Sequence, residues 1–463
     1  MQNKNASIEG IRIGIVGSGV SGLSLASLAK RKKARVFVSD SGAFRETAAK
    51  QLESMGIAFE FGEHGPRLWE SDLIVLSSGV APSAVPVQEA RKRGIPLVGE
   101  LDFVAPYLKG KRVGVTGSNG KSTTTALLGH LLQKMGMKAA AVGNIGSPLA
   151  DYADLPLDVL VMELSSFQLF WANRLPVDVA VVTNLDPDHI DWHGSYENYV
   201  AAKANLLRMQ KAGSWAILQG RDLHFFQEFD AVRKISLGSN EAFPTEGRIV
   251  MGEKEAVLWT EKGPKRLFTF DSLPLLGKHN LENAAMAMAA LEALGFDAST
   301  AEPLLGSFSA LPHRCEAVAT INGVRYVDDS KGTNVAASVT ALGSLPGVKL
   351  VILGGQGKGE DYTPLAQAVK RHARLALVMG TEREKICDAL KDAGFEGIRK
   401  VRDMEEAVAT AYREALAGET VLLSPACTSW DAYPNYKERG KHFQRLVLGI
   451  REGEGLGEPA EGN

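Results

Sequence analysis

Thr116-Gly117-Ser118-Asn119-Gly120-Lys121-Ser122-Thr123-Thr124 holds the residue types that bind a nucleoside triphosphate. The apolar alternation Arg112-Val113-Gly114-Val115-Thr116 before it reads as a strand. After it, Leu127, Leu128, Leu131, Leu132 and Met135 fall on one helical face. A glycine loop between strand and helix aims backbone N–H groups at phosphate, the lysine adds a point charge, and a Ser or Thr hydroxyl can hold Mg²⁺. Val115 stands where the usual first glycine would be, leaving the spacing G-x-x-G-K-S. A glycine-rich turn with a solvated lysine is the plain alternative; the agreement of loop, Lys-Ser pair and flanking elements weighs against it.

Other polar residues gather where strands should end. Glu163 closes the apolar run Val159-Leu160-Val161-Met162 and precedes Leu164-Ser165-Ser166-Phe167-Gln168. A carboxylate beside a phosphate loop suits Mg²⁺, but taken alone Glu163 reads better as an acid favouring a helix start. Asn184-Leu185-Asp186-Pro187-Asp188-His189-Ile190-Asp191 follows the strand Val177–Thr183 and suits a metal or general-base site, or equally a capped polar turn. Lys203 lies in the helical stretch Tyr199–Leu206, where a lone lysine is ordinarily solvated. Further along, Asp328–Asn334, Gly354–Gly359 and Ser424–Ser429 each follow a strand, and Lys331 and Lys358 could attract carboxylate or phosphate. Near the start, Gly17-Ser18-Gly19-Val20-Ser21-Gly22 with Asp40 fits a dinucleotide fingerprint. Such glycines admit any diphosphate, so a UDP-sugar fits as well. An NAD(P)-dependent enzyme leaves the phosphate loop and the last third of the chain without a purpose.

The elements that must position these residues alternate strand and helix through 463 residues, which suggests about three domains at roughly 150 residues each. The alternation implies an α/β chain with parallel sheets, whose ligands bind outside the carboxyl ends of the strands. Strands are expected at Ile11–Val16, Arg35–Ser39, Leu73–Ser77, Ile95–Val98, Arg112–Thr116, Ala139–Val142, Val159–Glu163, Val177–Thr183 and Trp215–Leu218. Short antiparallel strands are expected across 235–275, then a helix at Asn280–Leu294, and strands at Val324–Val327, Lys349–Leu353, Leu375–Met379 and Thr420–Ser424. A formal net charge of -2 offers no basic field for nucleic acid or an anionic membrane. Three scattered cysteines provide neither a disulfide frame nor a zinc cluster and fit a reducing cytosol. No signal-peptide core or bilayer-spanning apolar run is visible, so a cytoplasmic location is expected. The Gly/Glu-rich end, Arg451–Asn463, is expected to fray.

With these residues in hand, the chain resembles the Mur ligase family along essentially its whole length. The likeness rests on Thr116–Thr124, Asn144-Ile145-Gly146, Glu163–Gln168, Asp188–Asp191, Lys203 in its Tyr-x-x-Ala-Lys setting, Gly277-Lys278-His279-Asn280, Leu311–Arg314, Asp329–Asn334 and Ser424–Cys427. Leu423 through Asp431 to Arg439-Gly440 resembles the D-glutamate-adding branch. The resemblance implies a Rossmann-like N-terminal domain binding a UDP-sugar (1–107), a central P-loop ATPase-type domain (108–310) and a Rossmann-like C-terminal domain receiving the acceptor amino acid (311–463). It also implies ATP, two Mg²⁺ ions, the substrates UDP-N-acetylmuramoyl-L-alanine and D-glutamate, and a monomer. Gly117, Ser118, Asn119, Gly120, Lys121, Ser122 and Thr123 would cradle the phosphates, with Asn280, Arg314 and Asp329 meeting the rest of ATP. Ser122 and Glu163 would serve one metal; His189 and Lys203, the latter as a CO₂-derived carbamate, would serve the second. Ser18, Val20, Asp40, Ser41 and Asn144 would hold the UDP-sugar. Lys331, Thr333, Lys358, Ser429 and Tyr436 would receive D-glutamate; relatives commonly carry Phe at position 436. A sister ligase, such as a folylpolyglutamate synthase or another Mur enzyme, would share Lys121, His189 and Lys203. A phosphate-loop switch protein would need no acceptor loops.

Overall fold

The computed structural model describes residues 7–239, 242–275, 277–309 and 311–452. The last eleven residues of the expected frayed end, 453–463, lie outside them. Among the described residues the strands form three sheets, of five, nine and six strands.

The first sheet is wholly parallel, in the spatial order Ala58–Phe61, Arg35–Asp40, Arg12–Val16, Leu73–Leu76, Leu97–Gly99. Its strand order reverses beside Arg12–Val16, and the glycine loop after that strand opens at the switch point. Gly17 has φ 99°, and a Cβ there would lie 2.2 Å from Ser77 Oγ, so only glycine lets the chain turn against the neighbouring strand end. The helix Val20–Arg31 follows.

The nine-stranded sheet runs Gly263–Thr269, Glu255–Thr260, Gly247–Met251, Arg233–Leu237, Trp215–Gln219, Val179–Val182, Lys111–Thr116, Val159–Glu163, Ala139–Gly143. The residues of Val159–Glu163 and Val179–Val182 are all buried, as expected for parallel strands covered on both faces. Where antiparallel pieces were expected across 235–275, Arg233–Leu237 and Gly247–Met251 pair in parallel. The antiparallel pairings are Gly247–Met251 with Glu255–Thr260 and Glu255–Thr260 with the edge strand Gly263–Thr269. The phosphate-loop helix is Lys121–Lys134, starting ahead of its apolar face, with Ser122, Thr123, Thr124 and Thr125 buried. The alanine-rich helix spans Lys278–Ala293.

The third sheet runs Glu316–Ile321, Val324–Asp328, Thr420–Leu423, Lys349–Gly354, Ala373–Met379, Ile398–Lys400, parallel except for its first strand. The strands that sequence reading missed, Ala58–Phe61, Glu316–Ile321 and Ile398–Lys400, all lie at sheet edges. They are partly exposed and lack the continuous apolar run of a central strand.

Two compact units result. One comprises residues up to 273 with 282–307; the other comprises 274–281 with 308 onward. In the first unit a single apolar cluster joins Leu25, Leu101 and Val104 to Leu149, Leu164 and Leu169, so the five- and nine-stranded sheets share a core. No helix among the described residues is long and apolar enough to cross a membrane.

Candidate active site

Parallel pairing brings the first cluster together. Val115 pairs with Glu163 and Thr116 with Val182, placing Glu163 and the loop after Val182 on either side of the phosphate loop. Val115, at the position of the missing glycine, is fully buried within the strand. Gly117 has φ 137° and a Cβ there would lie 2.0 Å from Thr183 Oγ1; Gly120 has φ 85° and its Cβ would meet Asn283 Oδ1 at 2.2 Å. The loop therefore requires glycine at both places. Ser118 N donates to Asn184 O and Asn119 N to Asn184 Oδ1, each at 2.8 Å. Ser118 Oγ bonds Asp186 O at 2.7 Å and Tyr199 Oη at 2.9 Å. Lys121 Nζ donates to Gly117 O and Ser118 O, both at 2.8 Å, folding the lysine back over the loop.

Lys203 is 2% exposed. Its Nζ donates to Gly117 O at 2.8 Å and lies 4.6 Å from the Tyr199 ring centre, directly under the phosphate loop. Burial, then the charge of Lys121, pushes the amine well below its ordinary range, against the pull of Asp188 and Glu163. His189 has φ 54°, an uncommon backbone for histidine, and its N–H donates to Asp188 Oδ1 at 3.0 Å. Its ring packs edge-on against Phe167, 4.7 Å between centres. Asn144 Nδ2 donates to Glu163 Oε1 at 2.9 Å, so this expected UDP-sugar residue sits on the carboxylate expected to serve a metal.

At the glycine loop of the first sheet, Ser18 donates to Asp40 Oδ2 from both its backbone N–H (2.7 Å) and its hydroxyl (2.6 Å). Burial works against the Asp40 charge, but the Ser18 and Gly42 donors and Arg45 hold its pKa at about 2. Arg45 Nη2 bonds both Ser18 Oγ, at 2.9 Å, and Asp40 Oδ2, at 2.8 Å. Ser41 is exposed and Val20 is 73% exposed, both open to a ligand.

In the second unit, three strand-end loops converge. Gln356 N donates to Thr428 O at 3.1 Å and Thr428 N to Gln356 O at 2.9 Å, joining the Lys358 loop to the Ser429 loop. Ser330 Oγ donates to Tyr436 O at 2.8 Å, and Lys331 Nζ lies 5.2 Å from the Tyr436 ring centre. Thr333 follows in the same turn, its N–H donating to Lys331 O at 2.9 Å. Asn280 is buried in the first turn of Lys278–Ala293, and the charge of Arg314 acts on the adjacent His279. Asp329 accepts from Ser424 Oγ at 2.7 Å; burial raises its pKa to about 7 against the pull of that bond and of Arg314. Because the folded pKa lies above the unfolded one, this group's contribution is greatest below pH 4 and is lost as pH rises to 7, by about 4 kcal/mol. Asp329→Asn is expected to flatten that part of the stability profile in urea titrations between pH 4 and pH 8; an unchanged slope would exclude Asp329 as its source.

The sequence of residues 115–291 matches the Mur ligase middle domain, 313–427 the Mur ligase glutamate ligase domain, and 12–85 the MurD N-terminal domain. The UDP-N-acetylmuramoylalanine--D-glutamate ligase of Pelotomaculum thermopropionicum is 38% identical, covering 95% of this chain and 98% of its own. The chain belongs to the Mur ligase family. The identically named protein of Symbiobacterium thermophilum is 37% identical, over 94% of this chain and 97% of its own. Among solved structures, MurF ligase from Thermotoga maritima in complex with ADP aligns with TM-score 0.60 at 18% identity, over 98% of this chain and 97% of that one. UDP-N-acetylmuramate-alanine ligase MurC from the same organism gives 0.59 at 18%, over 95% of this chain and 100% of that one. At such identities these likenesses show the fold.

In this Mur ligase, sequence reading passed over the residues that brace the loops. Thr183, Asn184 and Tyr199 support the phosphate loop, His193 bonds Ser166 Oγ at 3.0 Å, and Arg45 clamps Ser18 to Asp40. For Thr183 and Asn184 a signal existed, since both follow a buried strand, and Tyr199 is the tyrosine of the Tyr-x-x-Ala-Lys setting of Lys203; His193 and Arg45 carried none.

Proposed function

We propose that the protein forms an amide bond between the alanyl carboxyl of UDP-N-acetylmuramoyl-L-alanine and the amine of D-glutamate, driven by ATP, in peptidoglycan precursor synthesis. The observation that carries this reading is chain-long identity to D-glutamate ligases, joined to a phosphate loop with Glu163 paired beside it and a buried Lys203 beneath it. A carboxylate oxygen attacks the γ-phosphorus of ATP; an O–P bond forms and ADP leaves with the bridging oxygen. The amine then attacks the acyl phosphate carbon, loses a proton, and phosphate departs. Both steps build negative charge that fixed cations stabilise.

Gly117, Ser118, Asn119, Gly120, Lys121, Ser122 and Thr123 bind the phosphates, and Asn280, Arg314 and Asp329 the remainder of ATP. Buried oxygens of Ser122 and Glu163 suit one Mg²⁺. His189 and a carbamate on Lys203 suit a second, and the depressed basicity of Lys203 favours the free amine that CO₂ modification requires. Bound Mg²⁺ would supply charge neutralisation on the phosphates. Ser18, Val20, Asp40, Ser41 and Asn144 hold the UDP-sugar; Lys331, Thr333, Lys358, Ser429 and Tyr436 receive D-glutamate, the two lysines matching its two carboxylates. The three roles divide among residues 1–107, 108–310 and 311–463, in a cytoplasmic monomer.

Phosphate release is expected only when both UDP-N-acetylmuramoyl-L-alanine and an amino acid are present, with D-glutamate far ahead of L-glutamate, L-lysine, meso-diaminopimelate and L-alanine. Preference for any of the other four would overturn the specificity; release without either substrate would overturn the ligase reading.

A further inference from the structure

Within the first unit, one buried acid has no part in the reaction as described. Glu100, 7% exposed, opens the helix Glu100–Val104 after the last strand of the five-stranded sheet. Its Oε1 accepts from Gln168 Nε2. Gln168 in turn accepts through Oε1 from Ser165 N at 2.8 Å and Ser165 Oγ at 3.1 Å, which anchors the turn that follows Glu163. On its other side, Ser21 lines a small cavity together with Glu100. Ser21 belongs to the glycine loop expected to hold the UDP-sugar. Glu100 Oε2 is buried without a donor at hydrogen-bonding geometry. It borders a cavity of about 10 Å³ shared with Ser21, Gly143 and Gln168. That space is about the size of one water.

The surrounding seam repeats the same pairing of segments. A Cβ on Gly99 would lie 2.4 Å from Trp171 Cβ, so the two backbones meet closely there. Trp171 Nε1 donates to Val80 O at 3.0 Å, and Asp102 Oδ1 accepts from Asn173 N and Arg174 N, both at 2.8 Å. Residues 99–102 thus fasten the 168–174 segment to the strand-end loop 77–80. An acid is a costly choice for such a seam, because burial disfavours its charge and an apolar residue would pack there without that penalty.

We propose that Glu100 is a positioning residue: through its bond to Gln168 and its place beside Ser21 on the cavity they share, it sets the UDP-sugar loop relative to the turn after Glu163. The inference rests on the ligase reading above. The muramoyl carboxylate, carried by a ligand held on one sheet, must meet a γ-phosphate held on the other. A relative shift of about 1 Å between two bound reactants can cost on the order of 10²-fold in rate without weakening either binding event. Loss of Glu100 therefore acts on kcat rather than on affinity.

The test compares Glu100→Leu, which keeps the volume and removes the acceptors, with Glu100→Gln, which keeps an acceptor for Gln168. Expected for Glu100→Leu is a kcat at least roughly 10-fold lower, with calorimetric Kd for ADP and for UDP within about twofold of wild type. Glu100→Gln should recover most of the rate. Trp171→Phe, which removes only the bond to Val80 O, serves as a second probe if Glu100→Leu does not fold; it should lower kcat with both Kd values unchanged. An unchanged kcat in these variants overturns the inference, as does a joint collapse of kcat, both affinities and Tm, which marks a merely structural role. Wild-type enzyme that makes no D-glutamyl product sinks the functional reading and this inference together; active wild type with full-speed variants sinks this inference alone.

Discussion

Lys203→Ala is expected to lower turnover by roughly 10³-fold while leaving ATP affinity within a few-fold of wild type. The argument begins with location. Lys203 is held under the loop by Gly117 O and faces the fields of Glu163 and Asp188. Burial and Lys121 disfavour its protonated form. A neutral amine can attack CO₂: the N–C bond forms, an electron pair moves to oxygen, a proton leaves, and the neutral amine becomes an anionic carbamate. That anion would sit where the metal expected at His189 needs an oxygen ligand. The groups proposed to grip the triphosphate, Lys121 and the loop amides, are untouched by the substitution. Steady-state assays with calorimetric titration of a non-hydrolysable ATP analogue separate the two effects. A carbonyl resonance from ¹³C-bicarbonate should appear in wild type and be absent from the variant. Full activity in Lys203→Ala would refute the role.

Arg439→Ala is expected to destabilise the second unit by roughly 3–5 kcal/mol. The guanidinium is 1% exposed and makes four bonds: Nε to Ser330 Oγ at 3.0 Å, Nη1 to Thr428 O at 3.0 Å, and Nη2 to Ser330 O at 2.9 Å and Cys427 O at 3.1 Å. Burial lowers its pKa to about 10, so it remains charged at neutral pH. Truncation leaves three buried carbonyls without this donor and releases the Ser330 loop from the Cys427 loop. Arg439→Lys should recover little, because an ammonium cannot reproduce a planar fork spanning two loops. The neighbouring Gly440 is equally constrained: a Cβ there would lie 2.2 Å from His313 Nδ1, which bonds Asp328 Oδ2 at 2.7 Å. Urea unfolding followed by hydrogen exchange of the 424–429 amides checks the result; an Arg439→Ala protein as stable as wild type would show that the four bonds contribute nothing net.

Legibility followed the range of the interactions. The phosphate loop was readable because its chemistry is local: glycines, lysine and serine act through their own backbone and the helix they start. The central strands were readable because burial on both faces writes an unbroken apolar run. The edge strand Ala58–Phe61 was not, since partial exposure leaves no such run. Glu163 was ambiguous until pairing with Val115 put it beside the loop. Arg45 looked like any surface arginine, and only the return of its chain to Ser18 and Asp40 gave it a task.

By itself the sequence determined an α/β chain, a triphosphate-binding loop, a diphosphate-type glycine loop and a set of polar strand ends, because each is written in neighbouring residues. Tertiary structure alone decided that Lys203 is buried against Gly117 O, 86 residues before it, and that Arg439 ties Ser330 to Cys427. It also decided that Glu100 meets Gln168. The physical reason is common to all three: a charged side chain reads as solvated until the fold removes its water, and which chain segment removes it is set by strand order, which residue spacing does not encode.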